Sequence, residues 1–323
     1  MRFVVYGAGA VGGVVGARLA QNGHDVALIA RGANLERLRT DGITIESAVD
    51  RATLRLPAYG APSEVTFTDD DVVLLAVKAQ ATNDALDALR AAAPASIPVA
   101  CLQNGVENER AALRRFENVY AICVMCPATH LEPGVVQAYS TPISGLLDLG
   151  RYPGGLDQTA LAIAGALRTS TFESEPRADI MRWKYTKLLM NLANAVEALC
   201  GHGDGAAELS ALVRDEGVAC LRAAGIDFVS TEEDRERRGD RLQLRPIGGE
   251  RRGGGSSWQS LARGTGSIES DFLNGEIVLL GRLHGVPAPA NELVRALANE
   301  AARRGDAPGA TPAGAVLAML SRR

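Results

Sequence analysis

Three glycines near the beginning of the chain have the spacing needed to approach a phosphate group. The segment reads Gly7-Ala-Gly9-Ala-Val-Gly12, directly after the apolar run 2–6 and before a stretch with helical periodicity. In such a strand-turn-helix, the first glycine makes the tight turn, the second lets the backbone approach a pyrophosphate, and the third allows close helix packing. The helix N-terminus then faces the phosphates. Gly7, Gly9 and Gly12 are therefore predicted to bind a dinucleotide.

The end of the second apolar run indicates which dinucleotide is bound. Enzymes that use NAD usually place an acidic side chain here, on the ribose 2′-hydroxyl. This chain instead reads Leu28-Ile-Ala-Arg31, with no acid. The planar guanidinium of Arg31 offers a fork of donors to the oxygens of a 2′-phosphate. The sequence therefore predicts NADP(H) as the cofactor, and a solvated arginine at a strand end is the alternative interpretation.

A polar stripe in the second half of the chain could carry proton chemistry. Lys187, Asn191 and Asn194 lie at i, i+4 and i+7 of a helical segment, which places them on one face among largely apolar neighbours. Such a stripe either faces solvent or lines a cleft, and periodicity does not decide between the two. Lys184 lies on the same stripe, so spacing also leaves open which lysine does the work.

The elements that must position these residues form two domains. Short apolar runs alternate with helix-period segments over residues 1–125, which is typical of a parallel sheet with crossover helices. From residue 179 the pattern is helical, with apolar residues three and four apart in 180–200, 206–224, 269–284 and 291–303. We therefore predict an α/β Rossmann-type dinucleotide-binding domain over 1–176 and an all-α domain over 177–323. The Gly/Arg-rich segment 248–255 is predicted to be a flexible loop with solvated charges.

Composition and charge exclude several classes of partner and site. A net charge of -4 with interspersed signs provides no basic field for nucleic acid, and no apolar run is long enough to span a membrane. The first strand leaves no room for a secretion signal, and five scattered cysteines fit a reducing compartment, so we expect a cytoplasmic protein. Cys123 and Cys126 have C-x-x-C spacing but no partners for zinc, which favours strand packing and predicts no metal.

The chain resembles the ketopantoate reductases (2-dehydropantoate 2-reductases) over nearly its whole length. Seven short motifs, in the family's order, carry the resemblance. They are Gly7–Gly12, Val77-Lys78-Ala79, Gln103-Asn104-Gly105, Lys187-x-x-x-Asn191, Ser256-Ser257, Glu269-Ser-Asp271-x-x-Asn274-Gly275 and His284-Gly-Val-Pro287.

The resemblance implies a role for each matched residue. It makes Lys187 the catalytic acid and Glu269 its catalytic partner, which helps to hold and orient the substrate. It also implies that Asn191, Asn194, Ser257 and Asn104 bind substrate, and that Lys78 and Asn104 contact the cofactor. Taken singly, Lys78 could be a solvated lysine, Asn104 part of an ordinary turn, and Ser257 a loop hydroxyl. Glu269 could simply favour the first turn of a helix.

Two departures from the family pattern lie around the substrate rather than the cofactor. Trp258 follows the serine pair where the family usually has a Met-Leu-Gln-Asp-like run, and Ala195 stands where a second asparagine is expected, with Asn194 one residue early. The expected function is NADPH-dependent reduction of a small anionic 2-oxo acid, 2-dehydropantoate to pantoate, by a chain that could form a homodimer. A β-hydroxyacid-type dehydrogenase and a non-catalytic NADPH-binding sensor remain alternatives.

Overall fold

The strands of the first half are apolar on both faces, which is why they form a sheet covered by helices on both sides. In the first strand, Phe3 and Val5 belong to one buried cluster and Val4 to another. Successive side chains of a strand point to opposite faces, so each strand contributes to both clusters. The computed structural model describes residues 1–322 and shows this sheet with eight strands.

The elements of this part of the chain alternate as the sequence predicts. They are β1 (Arg2–Tyr6), α1 (Ala10–Gln21), β2 (Asp25–Ile29), α2 (Gly32–Thr40), β3 (Ile43–Ser47), β4 (Arg51–Leu54), β5 (Ala58–Tyr59), β6 (Asp71–Leu75), α3 (Thr82–Ala92), β7 (Val99–Cys101), α4 (Asn108–Leu113), β8 (Val119–Met125), β9 (Ala128–Thr129), β10 (Val135–Ala138), β11 (Ser140–Pro142), β12 (Gly145–Arg151), α5 (Gln158–Arg168) and β13 (Phe172–Glu173). The order in the main sheet is β13-β12-β8-β7-β6-β1-β2-β5. All its pairs are parallel except β12 with β8.

The remaining elements are almost all helices, which agrees with the predicted helical character. They are α6 (Ile180–Asn191), α7 (Ala193–Cys200), α8 (Ala206–Ala223), α9 (Thr231–Arg238), β14 (Leu242–Leu244), α10 (Ser256–Ala262), α11 (Asn274–His284), α12 (Pro289–Arg304) and α13 (Ala313–Leu320). The prediction of a Rossmann-type domain followed by a helical domain is therefore confirmed. Strand β14 is the exception, and it pairs antiparallel with β11.

The chain divides into two compact units, and the division does not follow the sequence in a single step. Unit 1 contains residues 1–184 and 230–252, and unit 2 contains 185–229 and 253–323. The first division falls inside α6, eight residues after the boundary predicted at 176/177. The segment 230–252 belongs to unit 1 because its helix α9 carries Arg237, which forms a buried ion pair with Asp148 of β12 at 2.7 Å.

Three further observations concern the whole described chain. Within residues 1–322, no helix is long and apolar enough to cross a membrane. Cys123 lies buried in β8, as predicted, and Cys126 directly follows that strand. Burial raises the pKa of the Cys126 thiol to about 12, which keeps it protonated and unreactive at neutral pH.

Candidate active site

The turn between β1 and α1 has three glycines, and their surroundings in the structure differ. Gly7 has φ +111°, and a Cβ there would lie 2.7 Å from the Val77 nitrogen. A Cβ on Gly12 would overlap the Gly7 carbonyl oxygen and lie 2.8 Å from the Ala76 Cβ. A Cβ on Gly9 would meet no protein atom within 4 Å. Packing and backbone conformation therefore explain Gly7 and Gly12, and Gly9 borders open space at the start of α1.

Arg31 lies at the same edge of the sheet, beyond the end of β2. It is exposed and immediately precedes α2 in an extended conformation. Burial raises the pKa of the Tyr6 hydroxyl at the end of β1, and the charge of Arg31 opposes that shift, so the two side chains are electrostatic neighbours. The carboxyl ends of parallel strands meet at one edge of a sheet, which is where ligands bind in this architecture. The predicted cofactor residues on β1 and β2 thus share one edge.

Lys78 and Asn104 follow the next two strands, β6 and β7, and both are half-buried. Lys78 precedes a short 3-10 turn, and Asn104 precedes Gly105, whose φ of +81° lies in the left-handed region that favours glycine, within a bend of the chain. The Gln103 side-chain amide donates to the Val77 carbonyl at 2.7 Å and so joins the two loops. These loops extend the carboxyl edge on the side of β1 away from Arg31.

In unit 2, the stripe of Lys187, Asn191 and Asn194 does not lie fully in solvent. Asn191 ends α6 and is buried, and Lys187 and Asn194 are half-buried. Leu192 joins α6 to α7 with helical dihedral angles, so the stripe continues across the junction. These exposures argue against a stripe that faces solvent alone, and the interpretation that it lines a cleft stays a prediction.

Ser257 and Glu269 lie on segments that pack against this junction. The Gly255 nitrogen, just before α10, donates to the Glu197 carboxylate at 3.0 Å, and the Asn194 Oδ1 faces the same glycine. Ser257 follows in the first turn of α10, 2% exposed, and its Oγ has no hydrogen-bond partner among the described residues. A buried hydroxyl without a partner is available to a bound polar group.

Glu269 is the first residue of a 3-10 helix, Glu269–Phe272, and it is buried. The Asn274 side chain at the start of α11 donates to the Leu192 carbonyl at 3.1 Å and so attaches this segment to the α6–α7 junction. Burial lowers the pKa of Arg263, and the Glu269 carboxylate opposes that shift, which places the two charges near each other. The segments carrying Asn191, Asn194, Ser257 and Glu269 thus converge within unit 2.

Comparisons with known proteins show the family of this chain. The family model described as "Ketopantoate reductase PanE/ApbA" matches residues 3–154, and the model of its C-terminal domain matches 179–302. The chain belongs to the ketopantoate reductase family. The 2-dehydropantoate 2-reductase of Caulobacter vibrioides is 31% identical over 92% of this chain and 98% of its own length. The Pyrococcus horikoshii 2-dehydropantoate 2-reductase is 28% identical over 92% of this chain and 96% of its own length.

Solved structures show the same fold. A PanE/ApbA family ketopantoate reductase from Ralstonia eutropha JMP134 has a TM-score of 0.79 at 28% identity, over 94% of this chain and 99% of that one. D-mandelate dehydrogenase, solved with NADH and anilino(oxo)acetate, has a TM-score of 0.80 at 22% identity, over 95% of this chain and all of its own. At that identity the second likeness concerns the fold alone. The family resemblance predicted from seven short motifs is confirmed.

Within this ketopantoate reductase family member, the two neighbouring lysines of α6 have different surroundings. The Lys184 Nζ lies 2.6 Å from the Glu109 carboxylate and donates to the Gln103 and Ile122 carbonyls at 2.9 and 3.2 Å. An ammonium group has three protons to donate, so these three oxygens satisfy it. Burial raises the pKa of the Glu109 carboxyl, and the charge of Lys184 opposes that shift. Lys184 is therefore a structural cation of unit 1, and Lys187 as the lysine of the site stays a prediction.

Sequence reasoning missed several residues around the site. Glu197, which receives the hydrogen bond from Gly255, stands three residues after Asn194 on the same helix, so periodicity could have found it. The segment 248–255 is a loop, as predicted, but two of its last glycines pack on a neighbouring side chain. A Cβ on Gly253 would lie 2.7 Å from the Trp258 ring, and one on Gly254 would lie 2.7 Å from the Trp258 Cβ. These glycines are needed because the chain packs directly on the tryptophan.

Proposed function

We propose that this chain uses NADPH to reduce a 2-oxo acid, and that the substrate is 2-dehydropantoate, giving pantoate. The observation that carries the proposal is the open space beside Gly9, in a turn whose other two glycines are fixed by packing. A glycine that neither the backbone nor the protein interior requires is explained by the close approach of a ligand. Relatives whose sequences align with over nine-tenths of this chain are named 2-dehydropantoate 2-reductases, which supports the choice of substrate.

The residues present fit an NADP cofactor. Gly7, Gly9 and Gly12 would cradle the pyrophosphate at the start of α1, and the exposed Arg31 would pair with the 2′-phosphate. Lys78 and Asn104 would border the other half of the dinucleotide, on the loops after β6 and β7. When bound, NADPH supplies the hydride for the carbonyl carbon of the substrate.

The residues of unit 2 would hold the 2-oxo acid and provide the proton. In the proposed mechanism the Lys187 ammonium donates to the substrate carbonyl oxygen, stabilises the charge that develops there, and transfers its proton to give the hydroxyl group. The buried Ser257 hydroxyl and the amides of Asn191 and Asn194 would bind the substrate's polar groups. The Glu269 carboxylate would accept a hydrogen bond from the substrate and orient it beside Lys187.

The test is a steady-state assay of 2-oxo acids with NADPH, using variants at position 187. Lys187→Ala should lower kcat by about 10²–10⁴-fold, the usual contribution of general acid catalysis, with little change in NADPH affinity. Lys187→Arg keeps the positive charge but cannot release a proton near neutral pH, so it should remain severely impaired. Glu269→Ala should raise KM for the 2-oxo acid more than it lowers kcat, because Glu269 holds the substrate in both ground and transition states.

Three outcomes would contradict the proposal. Wild-type kcat in Lys187→Ala would exclude Lys187 as the acid. Turnover of 3-hydroxy acids and not of 2-oxo acids would favour a β-hydroxyacid-type dehydrogenase. Tight NADPH binding without turnover of any 2-oxo acid would favour a non-catalytic sensor.

A further inference from the structure

A buried ion pair in unit 1 has no part in the proposed reaction. Lys184 and Glu109 have side chains that are 2% and 0% exposed. Removing two charged groups from water costs free energy that offsets much of their mutual attraction. A buried ion pair therefore adds little stability compared with apolar residues of similar size. Stability alone therefore does not explain why this pair is here, and its remaining contacts indicate what else it does.

The Lys184 ammonium also holds the backbone of the β7–α4 loop. Its Nζ donates to the Gln103 carbonyl at 2.9 Å, directly before Asn104, and to the Ile122 carbonyl within β8 at 3.2 Å. Arginine could not replace it, because a planar guanidinium does not direct three donors at converging oxygens as an ammonium does. The lysine thus fixes the loop that carries Asn104 to the neighbouring strand.

The Gln103 side chain continues the connection to the loop after β6. Its Nε2 donates to the Val77 carbonyl at 2.7 Å and to the Thr82 Oγ1 at 2.9 Å. Thr82 donates to the Asn108 Oδ1 at 2.8 Å, and the Asn108 Nδ2 donates to the Asn104 carbonyl at 2.9 Å. These hydrogen bonds connect Val77, the neighbour of Lys78, to Asn104. Fixing either loop therefore fixes the other.

We propose that Gln103, held by Lys184, is a positioning residue that orients Lys78 and Asn104 toward the nicotinamide half of NADPH. The proposal rests on the proposed function, because it assumes that NADPH occupies this sheet edge. The 2′-phosphate would bind at Arg31, after β2. The loops after β6 and β7 lie on the other side of β1, where the nicotinamide half would bind. Disturbing Gln103 should therefore weaken one half of the cofactor site and spare the other.

The experiment measures the binding of NADPH and of 2′,5′-ADP, which contains only the adenosine half with its phosphates. Two variants remove the connection: Gln103→Met, and the double variant Lys184→Met with Glu109→Gln, which avoids leaving a buried carboxylate unpaired. Each should weaken NADPH binding about tenfold, as expected for one or two lost hydrogen bonds, and change 2′,5′-ADP binding less than twofold. Melting temperatures are measured in parallel.

The matched control is Arg237→Met, which breaks a different buried ion pair of the same unit. It should lower the melting temperature while both affinities stay within twofold of the wild type. If Gln103 and Lys184 have a purely structural role, their variants will also melt earlier while both affinities stay within twofold, and that result would overturn the proposal. An equal loss of NADPH and 2′,5′-ADP binding would overturn it as well. A wild-type protein that binds neither ligand would instead overturn the proposed function on which this inference rests.

Discussion

Substituting alanine at Gly9 and at Gly12 should have opposite effects on the stability of the protein. Gly9 has φ −89°, a conformation that alanine adopts freely, and its added Cβ would meet no protein atom. Gly9→Ala should therefore keep or slightly raise the stability, by about 0.4–1 kcal/mol, because it restricts the unfolded chain. The new methyl group instead occupies the space where the pyrophosphate would approach the backbone.

The cost at Gly12 follows from its neighbours. Alanine would normally stabilise a helical position by about 0.8–1 kcal/mol over glycine. Here the Cβ would overlap the Gly7 carbonyl oxygen and lie 2.8 Å from the Ala76 Cβ, and the first of these is backbone that no rotamer change can move. Overpacking of this kind costs about 1–3 kcal/mol of stability, which is more than the gain from placing alanine in the helix. Gly12→Ala should therefore melt earlier than the wild type.

The assay combines thermal unfolding with NADPH titration followed by cofactor fluorescence. Gly9→Ala should unfold at or above the wild-type temperature. It should bind NADPH about five- to 150-fold more weakly, because crowding between the added methyl group and the cofactor costs about 1–3 kcal/mol. Gly9→Val should abolish detectable binding in a folded protein. The reasoning is refuted if Gly9→Ala unfolds as early as Gly12→Ala, or if Gly9→Val binds NADPH as the wild type does.

Three further predictions concern charged groups of unit 1. Arg31→Ala should weaken NADPH binding roughly ten- to hundredfold and leave NADH binding nearly unchanged, and equal dissociation constants for the two cofactors in the wild type would contradict this. Arg237→Met removes the bidentate partner of buried Asp148, which keeps Arg177 at 3.1 Å, so chemical denaturation should show a loss of about 1.5–3 kcal/mol, and a loss below about 0.5 kcal/mol would contradict it. Hydrogen bonding to Arg18 lowers the pKa of Asp50 from 3.8 to about 2, so its contribution to stability is complete above about pH 4 and lost as the pH falls toward 2. Asp50→Asn should therefore melt earlier than the wild type at pH 7, and the difference should shrink below pH 4; a constant difference would contradict the pKa shift.

The features that the sequence predicts well are those with local causes. The glycine turn, the alternation of strands and helices, and the helices of unit 2 depend on neighbouring residues, on φ preferences and on periodicity. The mixed charges over 232–241 are typical of an exposed helix, and a helix does form over Thr231–Arg238, but Arg237 is buried in it. Arg237 is buried because it pairs with the buried Asp148. That partner lies 89 positions earlier, and no local sequence pattern predicts a contact over that distance.

The candidate site shows the same limit. Periodicity groups Lys184 with Lys187, since both are on one stripe of α6, but the oxygens that hold Lys184 come from the loop after β7, from α4 and from β8. Gln103 and Glu109 look like ordinary polar residues in the sequence because their roles depend on which strands become neighbours. Trp258 and the glycines before it were similarly separate features until the fold brought them into contact.

The use of lysine in this chain bears on the identity of the acid. Of 34 basic residues, only Lys78, Lys184 and Lys187 are lysines. Arginine can serve wherever a positive charge or a surface ion pair is enough, but it stays protonated at any physiological pH and so cannot give a proton to a substrate. Lys184 is saturated by three oxygens, and Lys78 lies at the sheet edge of unit 1. Lys187 lies in unit 2, four residues before Asn191 on α6. As the proposed acid, Lys187 should therefore not be replaceable by arginine, which is the result expected from Lys187→Arg.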